Sequence, residues 1–252
     1  MTNNGIVAMK KFAQILLTVL IVQTVQASDT TSTKKAPLGT WKATARIHSM
    51  GFFSYGGRLV SSNHVADLHV SYTRKTWNFQ AFKAIDLRDR HTPINFAMAV
   101  IGRPLALGDK LTFTPQAGVV LEQFTSMADH GSDAVVLFTT AYRIHPHLTL
   151  EHTALVSNLL LEPAWRDWVN RVRVMYRSGH LDVTLFAWHN NAVFDQHDYA
   201  TIGVSVFTSR WELEGPWTIL TGVTGLYMAQ ASDERAWEGA NGILLTLGMA
   251  WH

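Results

Sequence analysis

The sequence contains no cysteine among its 252 residues. This absence excludes a disulfide framework, a thiolate zinc site and a cysteine nucleophile. Charged residues are also scarce, at 16% of the chain, whereas 47% of the residues are hydrophobic and 9 are tryptophan. So much apolar material excludes a disordered chain. Only residues 12–25 form a long apolar run, and a protein with several transmembrane helices, each of ~20 apolar residues, is therefore excluded as well.

The N-terminal segment has the pattern of a secretory signal. Lys10 and Lys11 precede the apolar run, and small residues at Val25 and Ala27 resemble a cleavage site. We predict residues 1–27 to be a cleaved signal peptide, residues 28–39 a polar leader and residues 40–252 the folded domain. The signal would remove two of the 21 basic residues and none of the 19 acidic ones, so the mature chain is neutral. This neutrality argues against a nucleic-acid partner.

From Trp41 onward the dominant hydrophobic period is two residues, the period of strands with one apolar face. No segment beyond the predicted signal has a convincing helical period. The alternation predicts twelve strands, which are residues 41–47, 66–72, 77–81, 94–100, 111–121, 136–142, 148–156, 172–176, 181–187, 202–206, 217–227 and 243–251.

Strand length and connection length together indicate a membrane barrel. Many of these segments approach the ~10 residues that a tilted strand needs to cross a bilayer, against about 5–6 in soluble proteins. Short connections near residues 74–75, 145–147, 178–180 and 212–215 alternate with longer ones, including residues 190–198. Outer-membrane barrels have short periplasmic turns and longer outer loops in this order. We therefore predict an all-β fold, a single antiparallel transmembrane β-barrel of about 12 strands. A soluble periplasmic all-β protein is the alternative.

Aromatic residues with a polar ring atom gather near the short turns on the apolar face of the strands. Such rings are favoured at a membrane–water boundary. The predicted membrane girdle contains Trp41, Tyr72, Trp77, Tyr142, Tyr176, Trp217 and Trp251.

The C-terminal strand carries a resemblance. Ile243, Leu245, Leu247, Met249 and Trp251 alternate up to the penultimate residue, and this pattern resembles the terminal-strand signal of outer-membrane β-barrel proteins. The mature chain as a whole is similar to small porin-like outer-membrane barrels. The resemblance implies outer-membrane lipid and the barrel assembly machinery as partners, the latter through the C-terminal strand, and localisation in the outer membrane.

The opposite face of the strands is rich in charge and is predicted to line the lumen. The candidate lumen or constriction residues are Lys42, Arg46, Arg143, Glu151, Arg171, Arg173, Arg177 and Asp182. Register about the tight turns places Arg177 opposite Asp182 and Glu151 near Arg173. Two interpretations follow. Either the arginines form a constriction that orients anionic solutes, or the charges form a salt-bridge network that fills a narrow barrel.

Two positions break the alternation. Lys83 falls on the apolar face of its strand, and a β-bulge after Ala81 would move it to the other face. His152 also has lipid-facing parity.

The function predicted first is a porin-like channel for small polar or anionic solutes. The second is a non-conducting barrel that serves as a structural or interaction component of an envelope complex and has an envelope protein as its partner. The third is a lipid-active barrel enzyme. His69-Val70-Ser71 has the His-x-Ser spacing of the outer-membrane phospholipase family, so His69 and Ser71 are weak catalytic candidates. The 12 histidines show no organised ligand spacing, and we expect no metal site and no cofactor.

Overall fold

The structure is a computed structural model that describes residues 39–53, 58–61, 63–88, 95–122, 133–160, 166–192, 197–213, 215–232 and 241–251. The predicted signal peptide and residues 28–38 of the predicted leader lie outside the described residues. In the described part of the chain, no helix is long and apolar enough to cross a bilayer.

The described residues form fifteen strands. In chain order they are β1 (Thr40–His48), β2 (Gly51–Phe53), β3 (Arg58–Ser61), β4 (Val65–Arg74), β5 (Trp77–Asp86), β6 (Asn95–Gly102), β7 (Leu105–Ala106), β8 (Leu111–Glu122), β9 (Asp133–His145), β10 (Leu148–Val156), β11 (Trp168–Ser178), β12 (Leu181–Ala192), β13 (His197–Glu212), β14 (Trp217–Ala231) and β15 (Gly242–Trp251). All except β2, β3 and β7 join one antiparallel ring. The ring closes where β1 pairs with β15 and β6 pairs with β8. Each of the twelve predicted strands corresponds to one strand of the ring, so the predicted barrel is confirmed.

The two ends of the barrel differ in their connections. At the turn end, β4–β5, β9–β10 and β11–β12 are joined by two residues each. Gly179 in the last of these turns has φ +54°, a conformation that glycine adopts without steric cost. At the loop end, connections such as residues 87–94 and 232–241 are longer. The N-terminal end of β1 and the C-terminal end of β15 both lie at the turn end, as expected for a barrel whose first and last strands begin and end on the same side.

One predicted loop is shorter than expected. The prediction of a long connection at residues 190–198 is wrong, because β12 and β13 extend to Ala192 and from His197. The ladder continues through Asn190, which pairs with Tyr199. Across the same two strands, His189 Nε2 lies 2.9 Å from Asp198 Oδ1, so polar residues extend the strands where the sequence indicated a loop.

Two small elements stand outside the ring. The β2–β3 hairpin belongs to the first connection at the loop end, and β3 approaches β14, two strands away around the rim. At the turn end, β7 pairs with β8 alone. Pro115 of β8 lies at the break between β6 and β7, where its carbonyl oxygen accepts a hydrogen bond from Arg103 N. A proline is tolerated there because a ladder is interrupted.

The outward face is apolar along most strands. Leu185, Ile202, Val223, Leu245 and Leu247 are all exposed, although each is a large hydrophobic residue. A contiguous apolar surface of this kind on every side of a barrel is what lipid contact requires. His152 lies on this outward face and is exposed.

The predicted bulge at Lys83 is wrong. Lys83 pairs with Leu68 and Ala97 in an unbroken register, so it stays on the outward face. The neighbouring residues Phe82 and Ala84 are buried and face the lumen. The residues of β5 therefore keep alternating between the two faces. No bulge is needed, because the inward face is apolar at this height and accommodates Phe82.

In β6 the predicted orientation is inverted. The alternation in residues 94–100, with the larger apolar residues toward lipid, predicts that Met98 and Val100 face outward. The structure buries both in the lumen, whereas Ile101 on the opposite face is 50% exposed. The cause is the apolar half of the lumen, which takes the large side chains and leaves alanines outside.

Candidate lumen site

The lumen has an apolar half toward the loop end. Val65, Met98, Val135 and Leu155 belong to one buried cluster. Trp188, Leu226 and Leu244 belong to a second. Val169 packs against both clusters and connects them. The two clusters therefore form one apolar layer inside the barrel.

A cavity of about 290 Å³ lies in the lumen where this apolar layer meets the charged residues. It opens between side chains of β1, β4–β6 and β8–β12. The polar lining residues are Arg46, His69, Gln80, Gln116, Thr139, Thr153, Arg171 and Arg173, and the apolar ones are Phe82, Met98, Val100, Leu137, Leu155, Val169 and Trp188.

Glu151 of β10 holds two arginines of β11 in the cavity wall. Its Oε1 lies 3.1 Å from Arg171 Nη2 and 3.0 Å from Arg173 Nε, and Arg173 Nη2 donates to the same oxygen. The register explains the cluster, since Glu151 is the direct cross-strand partner of Arg173. The Arg171 guanidinium also lies over the Trp188 ring, 5.0 Å from its centroid. An indole face attracts a cation in this position. Both guanidinium groups are thereby fixed at the cavity.

A second charged cluster joins the first and last strands of the ring. Arg46 binds Asp67 through two parallel hydrogen bonds of 2.9 Å. His48 Nε2 lies 2.8 Å from Asp67 Oδ2, and His48 Nδ1 lies 2.8 Å from Thr246 Oγ1. This chain of contacts crosses β4, β1 and β15, so it stabilises the closure of the barrel and positions the Arg46 guanidinium at the cavity.

Inward-facing glycines allow large side chains to lie along the wall. Each glycine is the direct cross-strand partner of a larger residue; the pairs are Phe186–Gly203, Phe207–Gly222 and Arg46–Gly248. A Cβ added at any of these glycines would overlap the partner side chain. The rings and the arginine stem therefore rest on the neighbouring backbone, which keeps them away from the barrel axis.

The other predicted charged residues lie near the turn end. Arg177 Nε is 3.8 Å from Asp182 Oδ1, but the two side chains are 71% and 57% exposed. Arg143 is exposed and its Nη2 donates to the carbonyl oxygen of Asp109. Lys42 is exposed near the start of β1. These residues surround the turn-end mouth of the lumen and do not line the cavity.

His69 lines the cavity, and Ser71 has the same inward parity on β4. Neither residue faces lipid, where a substrate of a lipid hydrolase would lie. The described contacts include no hydrogen bond between them. Among the described residues there is also no group of three or more histidines and acidic residues suited to a metal ion.

The predicted girdle residues lie on strand segments near the turn end. The Trp41 and Tyr72 rings are 4.5 Å apart, and Trp217 pairs with Trp251 across β14 and β15. Trp77 is 51% exposed. Tyr142 and Tyr176 are exposed large aromatics on the same outward face. The position of this group relative to a bilayer stays a prediction.

Sequence reasoning missed the apolar half of the site. Phe82 and Trp188 were not predicted as lumen residues. A period of two identifies the residues that share a face of a strand, but it does not say which face is inside. The glycine pairs had a weak signal: small residues concentrate on the inward face of the last three strands, opposite Phe186 and Phe207.

Solved structures share this architecture. The KdgM porin in complex with disordered oligogalacturonate aligns with a TM-score of 0.55 and 7% identity, over 84% of this chain and 98% of that chain. The NanC porin aligns with a TM-score of 0.54 and 10% identity, over 84% of this chain and 100% of that chain. The chain has the fold of small outer-membrane porins. No family model matches the sequence, and no curated protein matches it significantly.

Proposed function

We propose that the protein is an outer-membrane channel for small polar and anionic solutes. The observation that carries the proposal is the lumen cavity, into which Arg46, Arg171 and Arg173 all project. Guanidinium groups in a narrow, weakly screened lumen attract anions and raise their local concentration. Asp67 and Glu151 are ion-pair partners that hold these arginines in place. With three guanidinium groups in its wall, the cavity favours anions.

The exterior supports a membrane location. Large hydrophobic residues are exposed on the outward face around the ring, and their burial in lipid removes this surface from water. The similarity in fold to the KdgM and NanC porins agrees with a channel.

Ion selectivity in planar bilayers tests the proposal. The refolded barrel should give discrete conductance steps, and a KCl gradient should give a reversal potential of the sign that chloride permeation produces. Arg173→Gln should shift that potential toward the nonselective value, because it removes a charge at the cavity. Lys110→Gln is the matched control, since it removes a positive charge from an exposed position at the turn end. Cation selectivity of the unaltered barrel would contradict the proposal.

The second candidate is a non-conducting barrel. The apolar layer and the approach of β3 to β14 favour it, because an apolar layer in the lumen and a hairpin over the rim would both hinder the passage of water and ions. A correctly folded barrel that gives no conductance steps at any applied voltage would support this candidate and exclude the channel.

A further inference from the structure

The cavity combines two surfaces of different chemistry. Its cationic part comes from β1 and β11, where Arg46, Arg171 and Arg173 are held by carboxylates. Its apolar part comes mainly from β5, β6, β9 and β10, where Phe82 and Leu137 are examples and each is 7% exposed. A purely aqueous anion path would not need the second surface. Both surfaces line one continuous space, so a single molecule can contact them together.

From this juxtaposition we infer that the preferred solute is a small monocarboxylate with a compact apolar body, such as an aromatic acid. The inference deepens the proposed function and rests on it, since it concerns the same lumen. The carboxylate would lie at the Arg171 and Arg173 guanidinium groups. The apolar body would lie against Leu137, Phe82 and the Trp188 ring.

The positive charge and the size of the cavity fit this class, and Arg46, Arg171 and Arg173 supply the charge in its wall. An apolar cavity of ~150 Å³ is enough for benzene, and a water molecule takes ~30 Å³. The cavity of about 290 Å³ therefore accommodates a benzoate-sized anion with several waters. A polyhydroxylated acid would bring hydroxyl groups against the apolar surface, where they lose hydrogen bonds to water.

The arrangement at Trp188 supports the orientation. The Arg171 guanidinium already lies over the indole ring, 5.0 Å from its centroid, so cation and aromatic surface are adjacent. When the carboxylate of an aromatic acid contacts this guanidinium group, the ring of the acid lies beside the indole. Thr139 and Thr153, whose hydroxyls are 3.1 Å apart, also line the cavity. Arg171 Nη2 donates to Thr153 Oγ1, so these hydroxyls supply polar contacts near the carboxylate.

The test measures binding and current separately with three probes. Benzoate has the charge and the ring, gluconate has the charge without the ring, and benzyl alcohol has the ring without the charge. In calorimetry on the detergent-refolded barrel, the affinity for benzoate should be at least about tenfold higher than that for gluconate, because benzoate buries a ring. It should exceed the affinity for benzyl alcohol by at least about the same factor, because benzoate accepts hydrogen bonds from charged groups. In bilayers, benzoate should interrupt the channel current at concentrations where gluconate does not.

Variants assign the two surfaces. Arg173→Gln should weaken benzoate binding about tenfold and leave benzyl alcohol unchanged. Leu137→Asn, which is nearly isosteric, should weaken benzoate and not gluconate. Val100→Thr, a smaller change in the same lining, replaces Leu137→Asn if the latter does not refold, as judged by heat-modifiable gel migration. Lys110→Gln should change neither affinity.

The outcomes separate the inference from the proposed function. Gluconate binding as tight as benzoate, in a barrel that conducts anions, would overturn the inference and leave the channel standing. Benzoate binding without any current would support the solute class and overturn the channel.

Discussion

Replacement of Glu151 by glutamine perturbs the charged cluster most directly. Glu151→Gln keeps the shape of the side chain but leaves Arg171 and Arg173 without their shared carboxylate. Removal of one partner from a fully buried ion pair costs ~3–5 kcal/mol, whereas an exposed pair is worth ~0–1 kcal/mol. The Glu151 side chain is 11% exposed, and the two arginine side chains are 20% and 29% exposed. We therefore expect a loss of about 2–3 kcal/mol, between these limits.

Equilibrium unfolding in urea, with the barrel refolded into lipid vesicles, gives this free energy. The matched control is Asp182→Asn, which breaks the exposed pair with Arg177 and should cost less than ~0.5 kcal/mol. In the same barrels, Glu151→Gln should increase the preference for chloride over potassium, because a negative charge leaves the lumen. A Glu151→Gln barrel as stable as the unaltered protein, with unchanged selectivity, would refute the placement of this cluster in the lumen.

Three further changes test other parts of the account. Leu245→Arg should destabilise the barrel by ~2–4 kcal/mol in vesicle unfolding, because the side chain at this position faces lipid. The control Leu107→Arg, in the turn-end connection, should cost ~0–1 kcal/mol. Equal costs for the two variants would contradict an outward apolar band. Gly203→Val should push the Phe186 ring off the wall and reduce single-channel conductance, and Gly225→Val, on the outward side of the same region, should not. His48→Ala removes the contacts with Thr246 and Asp67 and should lower the unfolding free energy by ~1–3 kcal/mol; an unchanged midpoint in urea would show that this cluster does not stabilise the closure.

The architecture was accessible from the sequence because a barrel repeats one simple pattern. Alternation located all twelve ring strands, and the order of short and long connections located both ends. Cross-strand register near a tight turn is also local information. This is why the opposition of Arg177 and Asp182, and that of Glu151 and Arg173, follows from counting residues away from the turns.

The interior was less accessible, for physical reasons. Sequence analysis assumed that large apolar residues face lipid, but in β6 the alanines face outward and Met98 faces the lumen. Where the interior of the barrel is also apolar, the larger residues of the alternating pattern face inward, although the period of two is unchanged. The same apolar layer accommodates the inward-facing Phe82, so β5 needs no bulge at Lys83. Contacts between strands distant in sequence, such as His48 with Thr246, depend on ring closure and have no local signature.

Single-cysteine labelling tests the division between a water-filled inside and a lipid-covered outside most directly. The chain has no cysteine, so each introduced thiol is unique. Thr139 lines the cavity, and its neighbour Phe138 is 45% exposed on the outward face of β9. In vesicles, Thr139→Cys should react with a membrane-impermeant anionic methanethiosulfonate, whereas Phe138→Cys should react only with a lipid-soluble maleimide. The reverse pattern, or equal reaction of both thiols with the anionic reagent, would contradict the account.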